Sequence, residues 1–435
     1  MNAFCHSSAP TFIDRKRSLL LLPLLFALVA CGSKGSANRG NEPDAKAILD
    51  DSAYLAICYG GYRHDTRDIQ PTLSEIKEDL RILSAMGIRL LRTYNVKYAE
   101  AATLLKAISE LRKADPGFEM FVMLGAWIDC KNAWTALPPD HTQESEENAD
   151  EIARAVQLAT QYPDIVKIIA VGNEAMVKWA ERYYVRPEVI LKWVTHLQDL
   201  KANGVLPANL WITSSDNFAS WGGGDTLYHT PELAALLRAV DFVSIHTYPM
   251  HDTHYNPHFW GIRTDEKALN EEEQILRAMR RARDYAIMQY QSVRDYMARI
   301  GVEKPVHIGE TGWATRSSDY YGPSGTKAVD EYKSALYYRL MREWSNANGL
   351  TCFYFEAFDE PWKDREHSDG SENHFGLFNT RAEAKYALWR LVDSGIFEGL
   401  SRGGKPIAKT YAGNFDSLWQ DVKMPRYADT LTTSQ

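Results

Sequence analysis

Eight short apolar runs alternate with helical periodicity along this chain, and that alternation constrains its fold more than any other feature. The runs cover residues 53–59, 88–94, 120–127, 166–173, 210–214, 242–247, 306–310 and 351–355. They are almost continuously apolar, as parallel strands buried on both faces must be. Helical patterns lie between them. Thr72 and Glu75 have capping-box spacing, Leu73, Ile76, Leu80 and Leu83 follow at helical intervals, and Gly87 closes the segment. Leu104, Leu105, Ile108 and Leu111 mark a second helix, and an acidic stretch over 145–161 a third. Pro187 opens a fourth, with Val189, Ile190, Trp193, Val194 and Leu197 on one face. Further helices are expected over 271–300, 327–346 and 381–392. No composition break divides the series. A length of 435 residues admits two or three domains, but it also fits one (β/α)8 TIM barrel with loop insertions at its C-terminal mouth. The single barrel is the expected α/β architecture, over residues 51–420.

Strand ends matter most in such a fold, because all of them face one mouth. Two carry a carboxylate: Glu174 in Val171-Gly172-Asn173-Glu174, and Glu310 in Glu310-Thr311-Gly312-Trp313. Acidic side chains on separate strand ends, facing one cleft, are the equipment for acid/base and nucleophilic chemistry on a glycosidic bond. Such chemistry needs one carboxyl protonated at rest and the other ionised, and nearby carboxylates push their pKa values apart. Arg92 and Tyr248, at the ends of the second and sixth strands, are the expected donors to Glu310.

Charge and metal-ligand spacing narrow the alternatives. The net charge is −8 with no basic stripe, which disfavours nucleic acid. No zinc spacing occurs, and His246, His251, His254 and His258 match no helical metal motif, so neither metal nor cofactor is expected. His307 is read as a satisfied core histidine. Of five cysteines, Cys58, Cys130 and Cys352 would remain in a mature chain, which implies no disulfide framework. The segment 250–270 is longer than a βα loop needs; it would close one end of the cleft, form acceptor subsites, or be a surface flap without substrate contact.

The N-terminus reads as a targeting segment. Arg15-Lys16-Arg17 precedes an apolar run from Leu19 to Ala30, too short to span a bilayer as a mature helix. Leu28-Val29-Ala30-Cys31 resembles the lipobox of bacterial lipoproteins. The expectation is a signal peptide over 1–30, a lipidated Cys31, a flexible tether over 31–50 and a short tail over 421–435. The protein would then be a monomer anchored in a bacterial cell envelope by acyl chains, at the periplasmic face of the outer membrane or at the cell surface.

Seven strand ends, taken in order, resemble glycoside hydrolase family 17, the β-1,3-glucanase and glucanosyltransferase family. They are Tyr59-Gly60-Gly61-Tyr62-Arg63, Leu91-Arg92-Thr93-Tyr94, Leu124-Gly125-Ala126-Trp127-Ile128, Val171-Gly172-Asn173-Glu174, His246-Thr247-Tyr248-Pro249, Glu310-Thr311-Gly312-Trp313, and the string from Phe355 to Lys363. Gly61 and Ala314 stand where the family often has proline, a matter of loop shape. The resemblance implies a retaining hydrolase on β-1,3-glucan, or a transferase using the same site, with Glu174 as acid/base and Glu310 as nucleophile. It implies that Asn173 binds the sugar 2-hydroxyl. Glu356, Asp359, Glu360 and Trp362 look like a strip for sugar hydroxyls, or else an ion-paired loop. Tyr59, Tyr94 and Trp127 line the cleft or pack the barrel. Trp313 floors the subsite at the cleaved bond or belongs to the core. A non-catalytic glucan-binding lipoprotein is the competing reading, against which both carboxylates stand.

Overall fold

The computed structural model describes residues 43–430. The expected signal peptide, Cys31 and most of the tether lie outside that range. Eight parallel strands close into a barrel: β1 Leu55–Cys58, β2 Ile88–Arg92, β3 Phe121–Ala126, β4 Val166–Asn173, β5 Trp211–Asn217, β6 Val243–His246, β7 Val306–Gly312 and β8 Cys352–Phe355. β1 pairs with β8 at Ile57 and Tyr354, which completes the ring. Helices α1 Leu73–Ala85, α2 Ala99–Ala114, α3 Glu147–Gln161, α4 Pro187–Ala202, α5 Pro231–Ala239, α6 Glu271–Arg299 and α7 Glu331–Ala347 lie between the strands. The Thr72–Glu75 capping box forms at the start of α1. Apolar side chains of the strands and the inner helix faces, among them Ile57, Leu90, Val122, Ile168, Ile212 and Ile308, are fully buried in one core. Cys58, Cys130 and Cys352 are buried free thiols.

Several expectations are corrected. β5 runs to Asn217 rather than 214, because Ser215 and Asp216 are buried polar residues with partners. Ser215 Oγ lies 2.9 Å from Ser244 Oγ, and Asp216 accepts from Met176 N at 2.7 Å. The nine-residue α5 was not evident from the sequence; Thr230 caps it by accepting from Leu233 N. The helix expected over 381–392 shrinks to Trp389–Asp393. Lys385 prevents a longer one by turning inward, where its ammonium donates to Asp359 Oδ1 at 2.7 Å, Thr315 Oγ1 at 2.8 Å and His374 O at 3.0 Å.

Residues 45–49, expected within a flexible tether, instead form a helix, Ala45–Leu49, with Ala45, Ile48 and Leu49 buried. The tail is packed at least to residue 428, where Ile262 N donates to Arg426 O and Ala428 N donates to Ile262 O, each at 2.9 Å. The 250–270 insertion is a packed wall. Phe259 and Trp260 are buried, and Trp260 Nε1 donates to Thr326 O at 3.1 Å. No described helix is long and apolar enough to cross a membrane.

Candidate active site

Backbone geometry sets the two carboxylates at the mouth. Gly172 has φ +79°, and a Cβ there would sit 2.8 Å from Ala175 Cβ. Glu174 itself has φ +45°, a strained value of the kind that gathers at functional sites. Its N–H donates to Ser215 O at 3.0 Å, which holds the turn. On β7 the residue before Glu310 must also be small: a Cβ on Gly309 would lie 2.0 Å from Ser244 Oγ.

The surroundings of the two acids differ. Glu310 accepts hydrogen bonds from Arg92 and from Tyr248 Oη, the latter at 2.5 Å. Burial works to raise its pKa, but positive charge and donated hydrogen bonds outweigh burial and hold it below the ordinary glutamate value. Arg92 is the effective cation. His246 lies 4.0 Å from Glu310, but burial pushes its own pKa down to about 4, so it is uncharged at neutral pH. Among the described residues no lysine or arginine pairs with Glu174. Its Oε1 lies 3.0 Å from His246 Nδ1, and the far nitrogen of that ring lies 2.7 Å from Ser215 Oγ. Burial, and then the charge of Glu310, push the Glu174 carboxyl well above its ordinary range. One acid is therefore ionised and the other protonated across a single imidazole, the division that acid/base catalysis requires.

A cleft of about 580 Å³ contains both, and Asn173, Tyr94, Trp127, Glu360 and Trp362 also line it. A larger hollow of about 830 Å³, among Arg316, Asp359, Lys385 and Lys423, contains neither carboxylate. Asn173 Oδ1 accepts from Arg92 at 2.5 Å. Tyr94 Oη, Glu360 Oε1 and Trp362 Nε1 are buried with no hydrogen-bond partner among the described residues. Lys363 Nζ lies between Glu356 at 3.3 Å and Glu360 at 3.5 Å.

Other expected cleft residues lie elsewhere. Trp313 is fully buried between Trp260 and Tyr337, with its indole N–H bonded to Ala328 O at 2.8 Å; it is core, not a subsite floor. Tyr59 is buried beneath the cleft and donates to Asp79 Oδ2 at 3.2 Å. Asp359 is an ion-pair partner of Lys385 and accepts from Gly376 N at 2.9 Å; it lines the larger hollow rather than the cleft with the two carboxylates. Glu356 is 1% exposed and meets Lys363 rather than the open cleft. Arg92 and Tyr248 act on Glu310 from behind the wall. His307 is only half satisfied: Nδ1 accepts from Thr351 N at 3.1 Å, while Nε2 has no hydrogen-bond partner among the described residues.

Sequence reasoning set aside a metal role for His246 and quoted it only within the sixth strand-end string, and it overlooked Ser215; β5 and β6 bring the two together only in the closed barrel. It also passed over Lys363, although Lys363 ends the quoted string, and the Trp134 hairpin.

Residues 56–376 match the BtgE/BtgC glycoside hydrolase domain. A putative glucan endo-1,3-beta-glucosidase of Aspergillus niger is 24% identical over 72% of this chain, which spans only 40% of that relative's length. A glucan 1,3-beta-glucosidase of Arthroderma benhamiae is 26% identical over 72% of this chain and 83% of its own. Among solved structures, an endo-laminarinase from Formosa Hel1_33_131 is 60% identical, with TM-score 0.89, over 90% of this chain and all of that one. A Rhizomucor miehei beta-1,3-glucanosyltransferase mutant in complex with laminaritriose shares the fold, with 19% identity and TM-score 0.52 over 78% of this chain and 97% of that one. The chain belongs to the BtgE/BtgC glycoside hydrolases, the family-17 type of glycosidase that its strand ends resemble.

Proposed function

We propose that this protein cleaves β-1,3-glucan with retention of configuration, through a glycosyl-enzyme intermediate. The observation that carries the reading is the unequal setting of two carboxylates in one cleft: Arg92 and Tyr248 donate to Glu310, while Glu174 meets His246. The 60% identical endo-laminarinase supports the substrate class.

Glu310 attacks the anomeric carbon of the sugar seated above it, and Glu174 gives its proton to the departing glycosidic oxygen. Water then enters and Glu174 takes one of its protons; the water oxygen bonds to the anomeric carbon as the bond to Glu310 breaks and its carboxylate is released. His246 donates from Nδ1 to Glu174 Oε1 and accepts at Nε2 from Ser215 Oγ. That tautomer leaves the Glu174 proton on Oε2, free to face the leaving group. Arg92 and Tyr248 keep Glu310 ionised, and Arg92 also orients Asn173 toward the sugar 2-hydroxyl. Tyr94, Glu360, Trp362 and Lys363 receive sugar hydroxyls at the polar end of the cleft.

Product sizing on laminari-oligosaccharides tests the reading. Shorter products with the β-anomer formed first support it, and inversion or no cleavage contradicts it. Products longer than the substrate would assign glucanosyl transfer to the same intermediate. No turnover despite binding would assign a glucan-binding protein.

The remaining features of the reading rest on sequence. The chain divides into a signal peptide, a tether from lipidated Cys31 and a monomeric barrel anchored in the cell envelope. Radiolabelled palmitate incorporation that Cys31→Ala abolishes is the expected outcome; a soluble, unlabelled mature chain contradicts it.

A further inference from the structure

A hairpin between β3 and α3 pairs Cys130–Lys131 with Asp140–Glu144. In its loop, Trp134 is 56% exposed, yet it is held in place. Its φ of 61° is in the left-handed region, which bulky residues rarely enter. Its indole N–H donates to Asp129 Oδ1 at 3.2 Å, and Trp127 Nε1 donates to the same oxygen at 2.6 Å. Its ring stacks on Tyr183, with centroids 5.2 Å apart and planes at 22°. Tyr183 belongs to the loop that follows Glu174, and Cys130 N ties the hairpin to it by donating to Tyr183 O at 3.0 Å. Asn148, 2% exposed, clamps Asp129 from α3: its Oδ1 accepts from Asp129 N at 3.0 Å and its Nδ2 donates to Asp129 O at 2.9 Å. Trp134 lines the same cleft as both carboxylates. Local strain spent on holding a wet aromatic ring at a cleft wall gains nothing for the free protein, but it prepares a flat surface for a ligand.

We propose that Trp134 forms a distal stacking subsite for a glucosyl ring of the glucan chain, away from the bond being cleaved, with Asp129 as its positioning residue. The proposal rests on the β-1,3-glucan reading above. A β-glucosyl ring carries its hydroxyls at the rim and C–H groups on both faces, so it can cover an indole and keep its rim wet. Only chains long enough to span from Glu310 to Trp134 gain from such a contact, and the gain is binding that substrate and transition state share. It therefore enters through KM.

Steady-state kinetics on laminari-oligosaccharides of three to six units test this with the wild type, Trp134→Ala, Trp134→Phe and Asp129→Ala. The hexamer-to-trimer ratio of kcat/KM is expected to fall about tenfold in Trp134→Ala, the size of one good aromatic contact. The loss should lie in KM, with Trp134→Phe restoring most of the ratio and Asp129→Ala lowering it less. An unchanged ratio in a variant that binds and cleaves overturns the subsite, as does a loss carried by kcat equally at every length. If the wild type cleaves none of the series, the glucan reading itself fails and the subsite falls with it.

Discussion

Glu310 and Glu174 belong to strand ends of the same barrel and lie near the same histidine, Glu310 buried and Glu174 half-buried, yet they are built for opposite states. Around Glu310 the fold places a fixed cation, Arg92, and a phenol, Tyr248; both donate to the carboxylate. Around Glu174 it places an imidazole whose pKa burial lowers, and no lysine or arginine pairs with it among the described residues. Burial alone would neutralise both carboxyls. The difference between them therefore comes from two donors, Arg92 at the end of β2 and Tyr248 just beyond β6, and single substitutions should reveal each side separately.

The largest effect is expected on the ionised side. Glu310→Ala removes the nucleophile and should lower kcat on laminari-oligosaccharides by about 10⁴-fold or more. Residual turnover near wild type would assign the attack to another group. On the protonated side, Glu174→Ala should cost about 10²–10⁴-fold on natural glucan. The loss should be far smaller on an aryl glycoside whose leaving group needs no proton; equal losses on both substrates would break the assignment. Tyr248→Phe deletes a hydrogen bond to a charged group, a contact of about 1.5–3 kcal/mol, so kcat should fall about 10- to 100-fold.

The pH profile sharpens the contrast. Glu310 must be ionised and its pKa is lowered, so activity is lost as pH falls through that depressed value. Glu174 must carry a proton and its pKa is raised, so activity is lost as pH rises through that elevated value. A broad plateau is expected between the limbs. Arg92→Met should move the acidic limb upward, because the cation that favours the Glu310 anion is gone; an unmoved acidic limb would assign that limb to a different group. The smallest effect belongs to Ser215→Ala, which frees the far nitrogen of His246. It should lower kcat by less than about tenfold while Km stays near wild type.

The barrel was legible in the sequence because parallel strands buried on both faces leave nearly unbroken apolar runs. β4 was recovered at its full length for this reason. Legibility failed where polar residues are buried with partners. Ser215 and Asp216 looked like the end of β5, and they are its continuation into the site. Lys385 looked helical, and it is an inward ion-pair partner. Of the candidate site, both acids and their donors Arg92 and Tyr248 could be read because strand ends converge by topology. Trp313 could not be read, since an aromatic next to a strand end faces the cleft or the core according to packing that no local pattern records. Trp134 was missed for a related reason: its loop is irregular and carries no helical or strand period, and only folding brings it against Tyr183.

Trapping the intermediate tests the central claim most directly. A laminaribiosyl donor fluorinated at C2, with an activated leaving group, should slow breakdown enough for mass spectrometry of the intact protein and its peptides. A single glycosyl adduct on the peptide bearing Glu310, absent from Glu310→Ala, is the expected result. An adduct on Glu174, or turnover of natural substrate with inverted configuration and no adduct, would contradict the account.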